Sequence, residues 1–422
     1  MKKIFIFIIF IFFLVSCIPQ ELSINIEKQQ DSPTDDKNIN KTLDNEQSLS
    51  EEESQNLIKE DTKNKQSLKK TIQVMLPLNK KHEYITNSLI NALEIATYDL
   101  KDSRLRFDIN YYNNENDLIN IFMKKSINNS IIIGPLTSDY TKKIKQYCNK
   151  NIIVFSFASD RSLAGECVYL FNFFIEDDLR TIFQYFDQNN KVALLYPDNN
   201  YGKYLSKVID EYSSINNSAL LYKLSYKNDL SDVRTVIKQL GKYEYRKSEL
   251  ERQKKLLKLR NDETSLSSLK KLEKFETIGE LDFDSLIISE GNIRLLELAP
   301  LLPFYDIDPN KIQFVGTGLW DEKSFFDEPS LQGAIFPGVE EIKRKNFFNK
   351  YKETYQVPPP RTATLMYDLA ALVSFLLYAD DQKITEKDLF RGIDGDFSFE
   401  NNIIKRNLSI LKIQDGKAVL IN

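Results

Sequence analysis

The chemistry this sequence offers sits in two short hydroxyl-bearing stretches and two later polar residues. Thr137 and Ser138 follow the apolar run Ile131-Ile132-Ile133 and the pair Gly134-Pro135, where a helix is predicted to open. Their hydroxyls suit N-capping, and the free N–H groups and dipole of a helix start attract an anion such as a carboxylate. Ser159 and Asp160 occupy the matching position after the next apolar run, Ile152-Ile153-Val154-Phe155. Tyr201 and Glu290 follow later strand-like runs and face the problem from a second series of elements; an acidic group there suits an ammonium. The same residues read equally as helix caps without a ligand and, for Glu290, as a solvated carboxylate. The residues alone select no side-chain pocket.

Catalysis has little to work with. The chain of 422 residues contains one histidine, His82, and three cysteines, Cys17, Cys148 and Cys167. That leaves almost nothing for zinc sites or histidine-based acid–base chemistry. His82 lies in the charged turn Lys80-Lys81-His82-Glu83 and reads as solvated. No Gly-x-Ser-x-Gly elbow occurs, and Gly316-Thr317-Gly318 lacks the remaining glycine of a dinucleotide fingerprint. Asp177-Asp178 open a helix, where acidic residues are favourable for the dipole alone. The sequence therefore implies a protein that is not an enzyme and needs no cofactor or metal. With 57 basic against 61 acidic residues it has no broad positive field, which argues against nucleic acid as a partner.

The elements that must hold these residues begin after an address segment. Lys2 and Lys3 precede an apolar run from Ile4 to Val15, followed by Ser16 and Cys17. A basic start, a short apolar stretch and a small residue before the cut fit a secretory signal over 1–16. The run is shorter than the roughly 20 residues that span a bilayer. Leu14-Val15-Ser16-Cys17 resembles a bacterial lipobox, in which the cysteine becomes the lipidated first residue. Ile18 in place of an aspartate resembles an outer-membrane sorting context. Residues 17–70 are polar and charged without apolar period, the composition of a flexible tether. In the oxidising exported compartment Cys148 and Cys167 either pair or remain two small buried thiols.

From Thr71 onward strand-like and helical segments alternate, the pattern of βαβ crossovers. One series fills 71–175 and a second 176–330. The expected fold is α/β, two-lobed, each lobe a doubly wound, mostly parallel sheet. Residues 331–422 return to both lobes and end in strands. The stretch 241–279 interrupts the second lobe; it is dense in Lys, Arg and Glu, with Leu250, Leu256, Leu257, Leu259, Leu266, Leu269 and Leu272 in sparse stripes about the turn Arg260-Asn261-Asp262-Glu263. It reads as an antiparallel helical hairpin: a docking arm for another protein, or a solvated insertion with no partner.

Ile133-Gly134-Pro135-Leu136-Thr137-Ser138, Phe155-Ser156-Phe157-Ala158-Ser159-Asp160 and Tyr196-Pro197-Asp198-Asn199-Asn200-Tyr201-Gly202 resemble the type 1 periplasmic-binding fold, in its leucine/isoleucine/valine-binding group. Phe283 to Gly291, Leu298 to Pro303, Gly316 to Asp321, Pro358-Pro359-Pro360-Arg361 and Met366 to Leu372 are similar, in combination, to the alphaproteobacterial lipoproteins called penicillin-binding protein activators. The charged insertion also occurs in that subgroup, and the resemblance covers about residues 71–413. It implies a ligand site in which Thr137, Ser138, Ala158 and Ser159 hold the amino and carboxylate ends of an amino acid, with Asp160, Tyr201 and Glu290 nearby. Two functions follow from it: an envelope module that contacts a penicillin-binding protein, or a receptor handing an amino acid or small peptide to an ABC importer. Two or three acyl chains on Cys17, at about 0.8 kcal/mol per buried CH₂, would anchor the chain stably to a membrane. Replacing Cys17 by Ser should therefore release the protein into the soluble fraction, and unchanged pelleting with membranes would contradict the lipid anchor.

Overall fold

The computed structural model describes residues 70–103, 105–126, 130–260, 262–378 and 384–421. The export segment, Cys17 and the tether expected before residue 70 lie outside the described residues.

Apolar runs set the strands of the first sheet: β1 (Lys70–Pro77), β2 (Leu105–Tyr112), β3 (Ser130–Ile133), β4 (Ile152–Ser156) and β5 (Val168–Leu170). All four residues of β3 are buried, as a central parallel strand covered on both faces requires. Helices α1 (Glu83–Leu100), α2 (Glu115–Lys125) and α3 (Ser138–Lys145) supply the crossovers. α2 is capped by Asn114, whose side chain accepts from the Asp117 N–H, and α3 by Thr137, which accepts from the Tyr140 N–H. Helix α3 ends at Lys145. Cys148, just beyond it, is disulfide-bonded to Cys167, with Cα atoms 5.5 Å apart.

The chain then crosses to a second sheet through Phe171–Phe174. Helix α4 (Ile175–Tyr185) leads into β6 (Lys191–Pro197), α5 (Asn200–Ser213), β7 (Ala219–Tyr226) and α6 (Val233–Leu240). The charged insertion is a helical hairpin, α7 (Tyr243–Arg260) and α8 (Glu263–Leu272), in contact along their length. Asp262 caps α8, its carboxylate accepting from the Ser265 N–H at 2.8 Å. Leu250 and Leu269 are buried, whereas Leu256, Leu259 and Leu266 face solvent. After β8 (Ser285–Ile288) come two short helices, α9 (Asn292–Leu298) and α10 (Leu301–Phe304). Pro300 stands between them; it has no N–H to continue the helical ladder. The sheet continues with β9 (Gln313–Gly316) and β10 (Ile335–Gly338).

A second crossing follows β10. Helices α11 (Glu341–Tyr355) and α12 (Ala363–Tyr378) pack on α1, and Phe347, Tyr351, Met366 and Leu372 join the first lobe's core. The hairpin β11 (Asp396–Glu400) and β12 (Ile403–Asn407) then extends the first sheet. It turns at Asn401 and Asn402, both at positive φ, as such a turn demands. The chain crosses a third time at Leu408 and ends as β13 (Ser409–Gln414) and β14 (Lys417–Leu420) on the second sheet. The strand orders are β11-β12-β5-β4-β3-β1-β2 and β14-β13-β10-β9-β8-β6-β7. In the first sheet β12 joins β5 in parallel and only the β11–β12 pair is antiparallel, whereas in the second sheet β13 is antiparallel to both β10 and β14.

Gly316 ends β9 against the fully buried Trp320, and a Cβ at Gly316 would fall inside the indole ring. Gly316→Ala should thus lower the urea midpoint by an amount corresponding to about 2 kcal/mol or more. An unchanged midpoint would show that Trp320 has another place to go.

Candidate functional site

The first-lobe loops meet at one mouth. A cavity of about 340 Å³ is lined by His82, Leu136, Thr137, Ser138, Phe157 and Ser159, with Thr362 and Leu365 of the α12 region closing one side. Thr137, Ser138 and Ser159 are therefore brought together. His82 is a correction: it is half-buried in the cavity wall, not solvated, with Nδ1 2.9 Å from Asn79 Oδ1. Burial, with Lys81 beside it, pushes its pKa down, so the ring is neutral near pH 7.

The hydrogen bonds of these loops are largely internal. Ser138 Oγ accepts from the Ser159 N–H at 3.2 Å and the Asp160 N–H at 3.1 Å. Ala158 is fully buried, and its N–H donates to Ser156 Oγ at 3.0 Å. Asp160 Oδ1 accepts from both the N–H and the hydroxyl of Ser162, capping the short turn Arg161–Leu163. The Ala158, Ser159 and Asp160 amides are thus already bonded to side chains of the protein.

Tyr201 and Glu290 are not at this mouth. Glu290 is 2% exposed and lies inside the second lobe. Its Oε2 accepts from the Tyr226 hydroxyl at 2.7 Å, and its Oε1 from Arg294 and from the Gly291 N–H, each at 3.0 Å. The solvated carboxylate and the ammonium partner both give way to a buried structural acid, which periodicity cannot distinguish from either. Tyr201 donates to Thr317 Oγ1 at 3.2 Å and lines a second cavity of about 90 Å³.

That second cavity sits where the chain crosses between lobes. Phe173, Asp177, Asp178, Gly318, Arg361 and Arg406 are among its walls. The Gly318 N–H donates to Asp178 Oδ2 at 2.8 Å, and Arg361 Nη1 donates to the Gly318 carbonyl. Asp177 Oδ1 accepts from Arg180 Nη2 at 2.7 Å and Oδ2 from the Arg406 backbone N–H at 3.1 Å. Arg344 bonds Asp321 at 2.6 Å. Burial pushes the carboxyls of Asp178 and Asp368 up to about 7. Burial acts the same way on Asp394, but Arg361, Arg344 and Arg406 outweigh it and hold that carboxyl below its usual range. The sequence treated Asp177-Asp178 as dipole partners; the buried arginines that engage them come from residues 361 and 406, far along the chain. Among the described residues no group of three or more His, Cys, Asp or Glu is placed to hold a metal ion, and no helix is long and apolar enough to cross a membrane.

Glu290→Ala would leave the Tyr226 hydroxyl unpaired in the core, at a cost of about 2 kcal/mol. Chemical denaturation should register that loss. A carboxylate held free for a ligand would behave in the opposite way, its removal leaving stability unchanged or raised.

No protein-family profile and no curated sequence matches the chain. Solved structures do. A branched-chain amino acid ABC transporter protein from Rhodospirillum rubrum aligns over 84% of this chain and 100% of its own, at 11% identity and a TM-score of 0.64. The C-domain of LpoA from Haemophilus influenzae, a regulator of PBP1A, aligns over 83% of this chain and 100% of its own, at 13% identity and a TM-score of 0.58. Full-length LpoA from the same organism aligns over 85% of this chain and 60% of its own, at 13% identity and a TM-score of 0.58. These proteins are binding proteins and a regulator, and what this chain shares with them is the two-lobed fold of type 1 periplasmic binding proteins.

Proposed function

We propose that this chain is a non-enzymatic cell-envelope lipoprotein, anchored through Cys17 on the periplasmic side of the outer membrane, whose two-lobed domain contacts a penicillin-binding protein. The observation that carries the reading is the internal bonding of the first-lobe loops. Ser138 Oγ holds the Ser159 and Asp160 amides, and Glu290 is committed to Tyr226 and Arg294, so these groups are not free to grip an amino acid's two charged ends. A ligand there would have to break those bonds and replace them, which leaves little net gain. The hairpin supports the same reading. Its outer surface presents Tyr245, Leu256, Leu259 and Leu266 among charged side chains, with Leu259 74% exposed. Aromatic and aliphatic anchors framed by polar groups are the make-up of protein-binding patches. LpoA, which shares the fold, is a regulator of PBP1A.

A second reading, an amino-acid or small-peptide receptor of an ABC importer, is favoured by the 340 Å³ cavity itself, which has Thr137, Ser138 and Ser159 at its wall. The two separate cleanly in solution. Saturation at 100 times Kd adds about 2.7 kcal/mol to stability, so leucine-like amino acids should raise the melting temperature by several degrees in a receptor and leave it unmoved in an interaction module. In a pull-down, Leu256→Asp combined with Leu259→Asp should reduce capture of the synthase tenfold or more with the melting temperature unchanged. These exposed sites are the right probes, because deleting 241–279 would also remove Tyr243 and Leu250 from the packed interior. Undiminished capture by the double variant would remove the hairpin from the interface.

A further inference from the structure

The cavity at the lobe crossings shares no lining residue with the first-lobe cavity, and its chemistry differs. Arg406, in its wall, is 1% exposed, and its Nε, Nη1 and Nη2 have no hydrogen-bond partner. The Nε of Arg361, in the same wall, has no hydrogen-bond partner either and meets only the Asp394 carboxylate, 3.7 Å away. The rings of Phe171, Phe173 and Phe397 lie 4.9 to 5.8 Å from the Arg406 guanidinium carbon. They attract the charge, but an aromatic face is a weak substitute for a hydrogen-bond acceptor. Asp177, Asp368 and Asp394 compensate the charge through space, and of these Asp177 bonds the Arg406 backbone N–H and not its guanidinium. A buried guanidinium without acceptors is costly, and the ligand that best relieves it is a planar oxyanion.

We propose that this hinge cavity binds a small organic carboxylate, its oxygens on the guanidinium groups of Arg406 and Arg361 and its short tail against Phe173, Phe174 and Leu319. The volume of about 90 Å³ sets the size. One water takes about 10–15 Å³ of such volume, so the cavity has room for an acid of about five heavy atoms. The apolar lining disfavours a bare inorganic ion, whose hydration it cannot replace. This site is independent of the synthase contact proposed above, since no residue of the hairpin takes part.

Asp178 lines the same cavity and would repel the ligand in its ionised form. It faces Arg361 and the Gly318 N–H, with Asp177, Asp321 and Tyr201 nearby. Burial raises its pKa to about 7, so a proton is available at modest cost. Protonated Asp178 can donate to the incoming carboxylate, and binding is then linked to proton uptake: stronger below pH 7, weaker above it.

Calorimetric titration of the full chain with sodium propionate, at matched ionic strength, tests this. Saturable binding is expected near pH 6, at least tenfold weaker near pH 8, with no binding of chloride in either buffer. Asp178→Asn, which keeps an acceptor for the Gly318 N–H, should bind with nearly the same affinity at both pH values. Arg406→Met should abolish binding. Because that buried change puts folding at risk, Leu319→Trp is the companion: it fills the cavity from a half-exposed position, leaves both guanidinium groups in place, and should weaken binding tenfold or more. No binding of propionate near pH 6, chloride binding as well as propionate, or full affinity in Leu319→Trp would each overturn the proposal.

Discussion

Charged side chains withdrawn from water at the three chain crossings govern how the lobes of this molecule stand to one another. Arg344 reaches from α11 in the first lobe to Asp321 in the second at 2.6 Å, with both side chains less than a tenth exposed. Arg361, just before α12, grips the Gly318 carbonyl across the same gap. Asp177 at the start of α4 receives the Arg406 amide from the end of β12, while Arg180 donates to the Arg406 carbonyl at 2.7 Å. Buried pairs of this kind contribute little net stability, because desolvation offsets most of their attraction. Their effect is directional. Loss of one member strands its partner in a low-dielectric setting, so the lobes are held where all the partners can be met together.

That constraint reaches the first-lobe cavity through α12. Thr364 Oγ1 donates to Asp394 Oδ2 at 3.1 Å and also lies 2.7 Å from the Arg361 carbonyl. The first turn of α12 is thereby fixed to the hinge, and Thr362 and Leu365 of that same turn form part of the cavity wall. A change in the Arg361–Gly318 contact would move the side of the cavity formed by α12 relative to Thr137, Ser138 and Ser159. The two cavities are separate in lining but joined by one short piece of helix.

How much of this could be read along the chain follows from the range of each interaction. Strands such as Ile131-Ile132-Ile133 and helices such as α1 and α12 announce themselves because burial on both faces, or on one stripe, is written in consecutive residues. Strands β5 and β10 are not legible along the chain: three residues in the first, and Ile335-Phe336-Pro337-Gly338 in the second, carry too little period. The β11–β12 hairpin does carry a local signal, since Phe397 and Phe399 alternate with polar residues and Asn401-Asn402 is a turn pair. The hydroxyl loops were located because a loop after a strand is a local feature. Their internal bonding was not, because it depends on Ser138 meeting amides 21 and 22 residues away. Glu290 and Tyr226 are 64 residues apart, and Arg406 and Asp177 are 229 apart. No window along the sequence holds both members of such a pair.

The contrast between the two cavities then has a single electrostatic reading. At the first-lobe mouth Ser138 and the Ser159 and Asp160 amides are matched with one another, so a newcomer that uses them must replace bonds that already exist. At the hinge the Asp177, Asp178 and Asp368 carboxylates are bonded to backbone amides, Asp394 Oδ1 has no hydrogen-bond partner, and the three guanidinium nitrogens of the buried Arg406 are left without acceptors. Desolvation at the hinge has been incurred in folding, so a small acceptor that fits gains close to the full strength of a charge-assisted bond, not the small difference left after exchange with water. The favourable place for a small ligand in this two-lobed frame is therefore set by where donors remain unmatched. In this chain that place is the crossing between the lobes, whereas at the first-lobe mouth the Ser159 and Asp160 amides are already taken by Ser138.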